Sequence, residues 1–206
     1  MRRHALHLIT TGRQKLEEAA AIARRLPSEL IDVVHIREKH RTAREIMDWH
    51  QALSAALPGT AIYINDRVDA AASVQAVGVQ LGYTSVPIET ARKLMPAGTH
   101  IGCSVHSVAE AREARQNGAD YVFFGHIYAT ASKEGAPPRG VDALAEVVRA
   151  AGVPVVAIGG IGPEQTGEVL SAGAAGIAVL SSVFLHADPE RQVYRYREAL
   201  DRYTAR

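Results

Sequence analysis

The sequence predicts a single-domain (β/α)₈ barrel (TIM barrel) over residues 1–206. Three observations predict it. Short apolar runs alternate with longer helical patterns from end to end. Eight such runs occur with no break in composition, linker or low-complexity tract between them. Val77-Gly78-Val79, Gly118-Ala119-Asp120 and Gly173-Ala174-Ala175 each stand just before a run, as tight helix-to-strand joints do. Strands alternating with helices imply a parallel sheet. Eight unbroken units favour closure over an open doubly wound sheet, the alternative that the same alternation allows. The length is near the short end for this barrel, so its loops must be short.

The strands are expected at residues 4–9, 33–37, 61–64, 78–81, 100–103, 121–124, 155–158 and 176–180. Several are rich in Val and Ile, as strands buried on both faces should be. The helices between them announce their ends. Thr42 with Glu45, and Ser107 with Glu110, fit capping boxes. Gly118 and Gly152 stand where a helix end needs a left-handed residue. Asp188 before Pro189 reads as an N-cap followed by proline in the first turn, and Pro163 after Gly162 opens another helix in the same way.

Hydrophobic residues make up 47% and charged residues 22% of the chain, the balance of an ordinary soluble domain. The net charge is +1 with both signs intermixed, which argues against a nucleic-acid stripe or a membrane-surface patch. The single cysteine, Cys103, excludes an intrachain disulfide and suits a reducing cytoplasm. The apolar run near the start is short and is broken by His4 and His7, so no signal peptide is expected. No stretch has the length of a transmembrane helix.

Barrel sites lie at the C-terminal ends of the strands, and that rule selects four candidate clusters. The seventh strand runs into Gly159-Gly160 and the eighth into Ser181-Ser182. Glycines let backbone N–H groups approach an anion, and a short helix starting near Ser182 favours a phosphate. The alternative is a plain tight turn. After the second strand, alternation places His35, Arg37 and Lys39 on one face, suited to a phosphate or carboxylate, unless they are a solvated charge cluster. Asn65 and Asp66 after the third strand suit a metal or a substrate, unless one of them caps the next helix. His126 follows the sixth strand and precedes a polar, glycine-punctuated loop, residues 127–140, carrying Lys133. A histidine there suits proton transfer, set against the common structural histidine.

These clusters, together with Gly78-Val79-Gln80-Leu81-Gly82 and the segment 102–107, resemble the thiamin phosphate synthase superfamily over nearly the whole chain. The superfamily contains a magnesium-dependent synthase, which joins a pyrimidine diphosphate to a thiazole phosphate, and a TenI-type thiazole tautomerase. The synthase pattern has an acidic residue where this chain has Ser85, which reads as a plain helix cap, and Gly-Pro where this chain has Gly125-His126. Both departures point toward the tautomerase, an isomerase that aromatises a carboxythiazole phosphate tautomer without cofactor or metal. The resemblance then implies His126 as acid–base residue. It implies phosphate binding by Gly159, Gly160, Ser181 and Ser182, and ligand contacts from Arg37, Lys39, Asn65, Ser104 and Lys133. It further implies a cytoplasmic homo-oligomer acting on a small thiazole phosphate. The alternatives are the synthase itself and a non-catalytic regulatory protein that binds thiazole phosphate.

Overall fold

The computed structural model describes residues 3–133 and 135–204, so the first two residues of the N-terminal stretch lie outside it. Eight parallel strands close into a barrel in chain order. They are β1 (Ala5–Ile9), β2 (Val33–Ile36), β3 (Ala61–Asn65), β4 (Gly78–Leu81), β5 (His100–Val105), β6 (Tyr121–Gly125), β7 (Val155–Ile158) and β8 (Gly176–Val179). Pairing of β8 with β1 completes the ring, and the open sheet is excluded. Helices α1 (Leu16–Ala23), α2 (Ala43–Ala56), α3 (Val68–Ser73), α4 (Ile88–Leu94), α5 (Val108–Gln116), α6 (Gly140–Ala151) and α7 (Thr166–Ser171) connect the strands. A single turn, α8 (Ser181–Phe184), follows β8, and the long α9 (Pro189–Thr204) ends the fold.

The cap signals mostly act as expected. Thr42 and Glu45 make both arms of their capping box. Ser107 accepts from the Glu110 N–H at 3.1 Å, but the Glu110 carboxylate turns back to the His106 N–H instead. Gly118 and Gly152 take the left-handed φ values of 92° and 65°. The Asp188 carboxylate accepts from Arg191 N–H at 3.1 Å and so caps α9. The helix expected at Pro163 starts only at Thr166, because the Gly162 N–H is drawn into a turn by the Gln165 carboxamide at 3.0 Å.

Alternation along the strands sorts side chains into two cores. One lies between the strands and the helices and includes Leu6, Leu8, Val34, Ile36, Ile62, Ile64 and Phe124. The other fills the barrel interior, with Ile9, Val33, Tyr63, Tyr121, Phe123, Val156 and Ala178 in contact. The rings fit because their neighbours lack side chains. A methyl on Gly78 would lie 2.5 Å from the Tyr63 ring, and one on Gly102 would lie 2.0 Å from the Tyr121 ring.

The interior also holds two buried histidines from β1 and β2. His7 Nδ1 lies 2.9 Å from His35 Nε2, and the rings stack. Burial lowers the pKa of His7 to about 3. It drives His35 well below its usual value too, reinforced by His7 and opposed by Asn65. Both rings are therefore neutral near pH 7, and one donates the shared proton to the other.

Candidate active site

The C-terminal ends of the strands open onto a cavity of about 850 Å³. The ten residues singled out for catalysis or binding, from Arg37 on β2's exit to Ser182 on α8, all line it. A smaller cavity of about 560 Å³, lined by His50, Thr60, Tyr63 and His100 among others, opens at the N-terminal ends of the strands. Barrel chemistry belongs to the opposite end, and the larger cavity is the candidate site.

The β7 exit is built from backbone. Gly159 and Gly160 have φ values of 99° and 68°, which a side chain rarely adopts. Space requires glycine there as well. A methyl on Gly159 would lie 2.3 Å from His126 Cβ, and one on Gly160 would lie 2.5 Å from the Ala129 carbonyl oxygen. The loop after β6 is laid across this turn, with Ile127 N–H donating to Ile158 O and Tyr128 N–H to Gly159 O, both at 3.0 Å. The glycines thus serve a tight crossing of two loops at the cavity wall. Ser181 and Ser182 stand beside them on α8.

His126 is 6% exposed, and its Nε2 lies 3.1 Å from the Ala136 carbonyl oxygen. Its own carbonyl accepts from the Arg139 N–H at 2.9 Å. The imidazole is therefore tied to the loop that follows it, at the edge of the cavity.

Arg37, Lys39, Arg67 and Lys133 bring four cationic side chains to the cavity, against the carboxylates of Glu38 and Asp66. Glu38 is occupied in tying the loop after β1, accepting from the Gly12 N–H at 3.1 Å. Arg67 is paired with Asp69 at 2.6 Å. The balance favours an anionic ligand. Lys39 sits in a turn and not on a continued strand, because β2 ends at Ile36.

Asp66 does not cap α3. Its Oδ1 accepts from the Gly82 N–H at 3.1 Å and from the Ser85 hydroxyl at 2.5 Å. Ser85 is likewise not a plain helix cap, since α4 starts at Ile88 after Pro87. Its oxygen accepts from Gly82 N–H at 2.7 Å while its proton goes to Asp66. Asp66 has a φ of 62°, a conformation uncommon for a side chain and held here by this hydrogen-bonded loop. The neighbouring Asn65 lines the cavity and interacts through its side chain with the buried His35.

Gln80 and Tyr196 are among the lining residues to which the sequence assigns no role. Gln80 is the register partner of Asn65 across β3 and β4, and its Nε2 donates to Ser104 Oγ at 3.3 Å. Alternation along β4 would have found it. Tyr196 reaches the cavity from α9, and nothing local in the sequence marks it.

Known proteins bear on the identity of this site. The chain is 42% identical over 162 residues to a thiamine-phosphate synthase of Chlorobium luteolum, covering 77% of this chain and 76% of that one. It is 37% identical over 198 residues to a thiamine-phosphate synthase of Pyrococcus horikoshii, covering 95% and 94%. The solved thiamine phosphate pyrophosphorylase from Pyrococcus furiosus superposes with a TM-score of 0.84 at 32% identity, covering 97% and 96%. A 3-hexulose-6-phosphate synthase, at 20% identity and a TM-score of 0.78, shares the fold.

These relatives overturn the expectation of a tautomerase and of isomerase chemistry, because they carry the name of a synthase, a transferase. Both departures behind that expectation have a structural reading of their own. Ser85 holds Asp66 at the cavity by hydrogen bonding, and the His126 ring is engaged with its loop. A family profile described as thiamine monophosphate synthase matches residues 6–183, and the chain belongs to that family.

Proposed function

We propose that this protein is a thiamine-phosphate synthase, a transferase joining a pyrimidine carried on a diphosphate to a small thiazole phosphate. The observation that carries the reading is the similarity to synthases of that name over most of the chain. The cavity supports it with room and charge for two anionic substrates. In the reaction the C–O bond to the diphosphate breaks, and pyrophosphate leaves with the bonding electrons. The thiazole ring nitrogen forms the new C–N bond, so no redox partner is needed.

The phosphate of the thiazole is assigned to the β7–α7 turn at Gly159 and Gly160 with Ser181 and Ser182. The diphosphate is assigned to Arg37, Lys39 and Lys133, whose charges stabilise the leaving group as it departs. Asn65 on β3 and Ser104 on β5, either side of β4, orient the heterocycles by hydrogen bonding. His126 anchors the loop that carries Lys133, and excludes water from the cavity edge.

The family implies magnesium, an ion that takes one or two carboxylates and completes its shell with water and substrate phosphates. Among the described residues no cluster of three or more His, Cys, Asp or Glu could hold a metal by itself. Asp66, oriented toward the cavity by Gly82 and Ser85, with Asn65 next to it in the lining, fits such a substrate-completed site. When bound there, the ion neutralises charge on the departing diphosphate. Metal independence was tied to the tautomerase reading and goes with it.

The test is direct. The protein is incubated with the pyrimidine diphosphate, the thiazole phosphate and magnesium, and thiamine phosphate and pyrophosphate are quantified. Equal yields of the two products are expected. Binding of the thiazole phosphate without turnover would replace this reading by a non-catalytic binding protein. Among the described residues no helix is long and apolar enough to cross a membrane. Cytoplasmic residence and a homo-oligomer remain part of the proposal, and light scattering of the purified protein checks the latter.

A further inference from the structure

The family profile ends at residue 183, yet α9 sends one polar side chain back into the cavity. Tyr196 is 1% exposed, with its ring in the outer core. Its hydroxyl donates to the Ile161 carbonyl at 2.9 Å, one residue beyond the Gly159-Gly160 turn. Tyr196 also lines the cavity together with Ser182, on the α8 turn against which α9 packs. Ile161 and Ser182 belong to the two segments assigned to the phosphate, on β7's exit and on α8. The Tyr196 hydroxyl therefore ties the backbone just after the glycine turn to α9, beside α8. The other end of α8 is held separately, by Gln14 Nε2 donating to the Phe184 carbonyl at 2.8 Å.

We infer that Tyr196 is a positioning residue for phosphate binding, anchoring the β7–α7 turn to α9 at the cavity wall. The inference takes the location of the phosphate from the proposed function, but not the transfer reaction. A donor that holds the backbone beside an anion site in place spares the anion the cost of ordering that backbone on binding.

The experiment compares Tyr196→Phe with Val193→Ala, a buried position on the same helix that does not line the cavity. Inorganic phosphate is titrated into each purified protein and followed by ³¹P NMR, with thermal unfolding recorded without ligand. Tyr196→Phe is expected to weaken phosphate binding about three- to tenfold, the effect of one net hydrogen bond, and to lower the melting temperature modestly, by no more than Val193→Ala does. Val193→Ala is expected to lower the melting temperature and leave phosphate affinity unchanged. In turnover, Tyr196→Phe should raise KM for the thiazole phosphate and leave kcat nearly constant. Phosphate affinity in Tyr196→Phe equal to wild type would overturn the inference. If affinity falls in Tyr196→Phe while the wild type makes no thiamine phosphate, the synthase reading fails and the role of Tyr196 stands.

Discussion

The buried histidine pair makes the barrel acid-sensitive in a way that can be worked out. His7 keeps a pKa of about 3 in the folded state because burial disfavours its charged form, against about 6.5 in the unfolded chain. Between those values the unfolded state binds a proton that the folded state refuses. Stability contributed by His7 is therefore fully present above about pH 6.5 and is lost as the pH falls toward 3. The slope approaches about 1.4 kcal/mol per pH unit, so lowering the pH from about 7 to about 4.5 costs about 2–3 kcal/mol from His7. His35, shifted in the same direction by burial and by His7, adds to the loss. A domain is stable by only about 5–15 kcal/mol, so the effect is large. Urea unfolding at the two pH values, followed by circular dichroism, measures it. The double variant His7→Gln, His35→Gln keeps polar side chains at both positions but cannot titrate. Its loss of stability on acidification should be smaller than that of the wild type by at least the His7 amount. Parallel losses in the two proteins would refute the reasoning, whatever their absolute stabilities.

Other outcomes follow from the same geometry. Gly102→Ala places a methyl 2.0 Å from the Tyr121 ring inside the barrel, and it should destabilise by about 1–3 kcal/mol in the same unfolding assay. Gly160→Ala combines a φ of 68° with a methyl 2.5 Å from the Ala129 carbonyl. It should cost about 1–3 kcal/mol and weaken phosphate binding, both read by calorimetry. Ser85→Ala removes a hydrogen bond to Asp66, and removal of such an outer-shell partner should weaken magnesium-dependent turnover about 10–100-fold in metal concentration. Paramagnetic titration with manganese would read the same loss without turnover. Arg37→Ala should raise KM for the pyrimidine diphosphate, with a loss of about 1.5–3 kcal/mol in binding.

Much of the fold was legible because it depends on local patterns. Eight apolar runs, the tight joints before Gly78, Ala119 and Ala174, and the caps at Thr42 and Asp188 report which segments pair with water and which do not. Barrel geometry then assigns the strand ends to the site, and alternation along each strand assigns the face. That geometry singled out positions such as Arg37, Asn65, His126, Gly159 and Ser182, the family resemblance added Ser104 and Lys133, and all of them line one cavity. The reading of chemistry from single substitutions fared worse. Ser85 looked like a cap because only its neighbours in sequence were visible. Its actual partner, Asp66, is 19 residues away across β4. His126 looked available for proton transfer because the loop that engages its Nε2 had no known path.

The sequence by itself determined the barrel, its strand order and the residues at its mouth, since hydrophobic period and strand length are properties of short segments. Only the tertiary structure decided which polar groups satisfy one another. It paired His7 with His35, turned Ser85 toward Asp66, and laid the loop after β6 across the glycine turn. It also brought Tyr196, from a helix with no local mark of function, against the β7–α7 turn. These contacts depend on distances between segments remote in the chain, and those distances exist only once the ring of strands has closed.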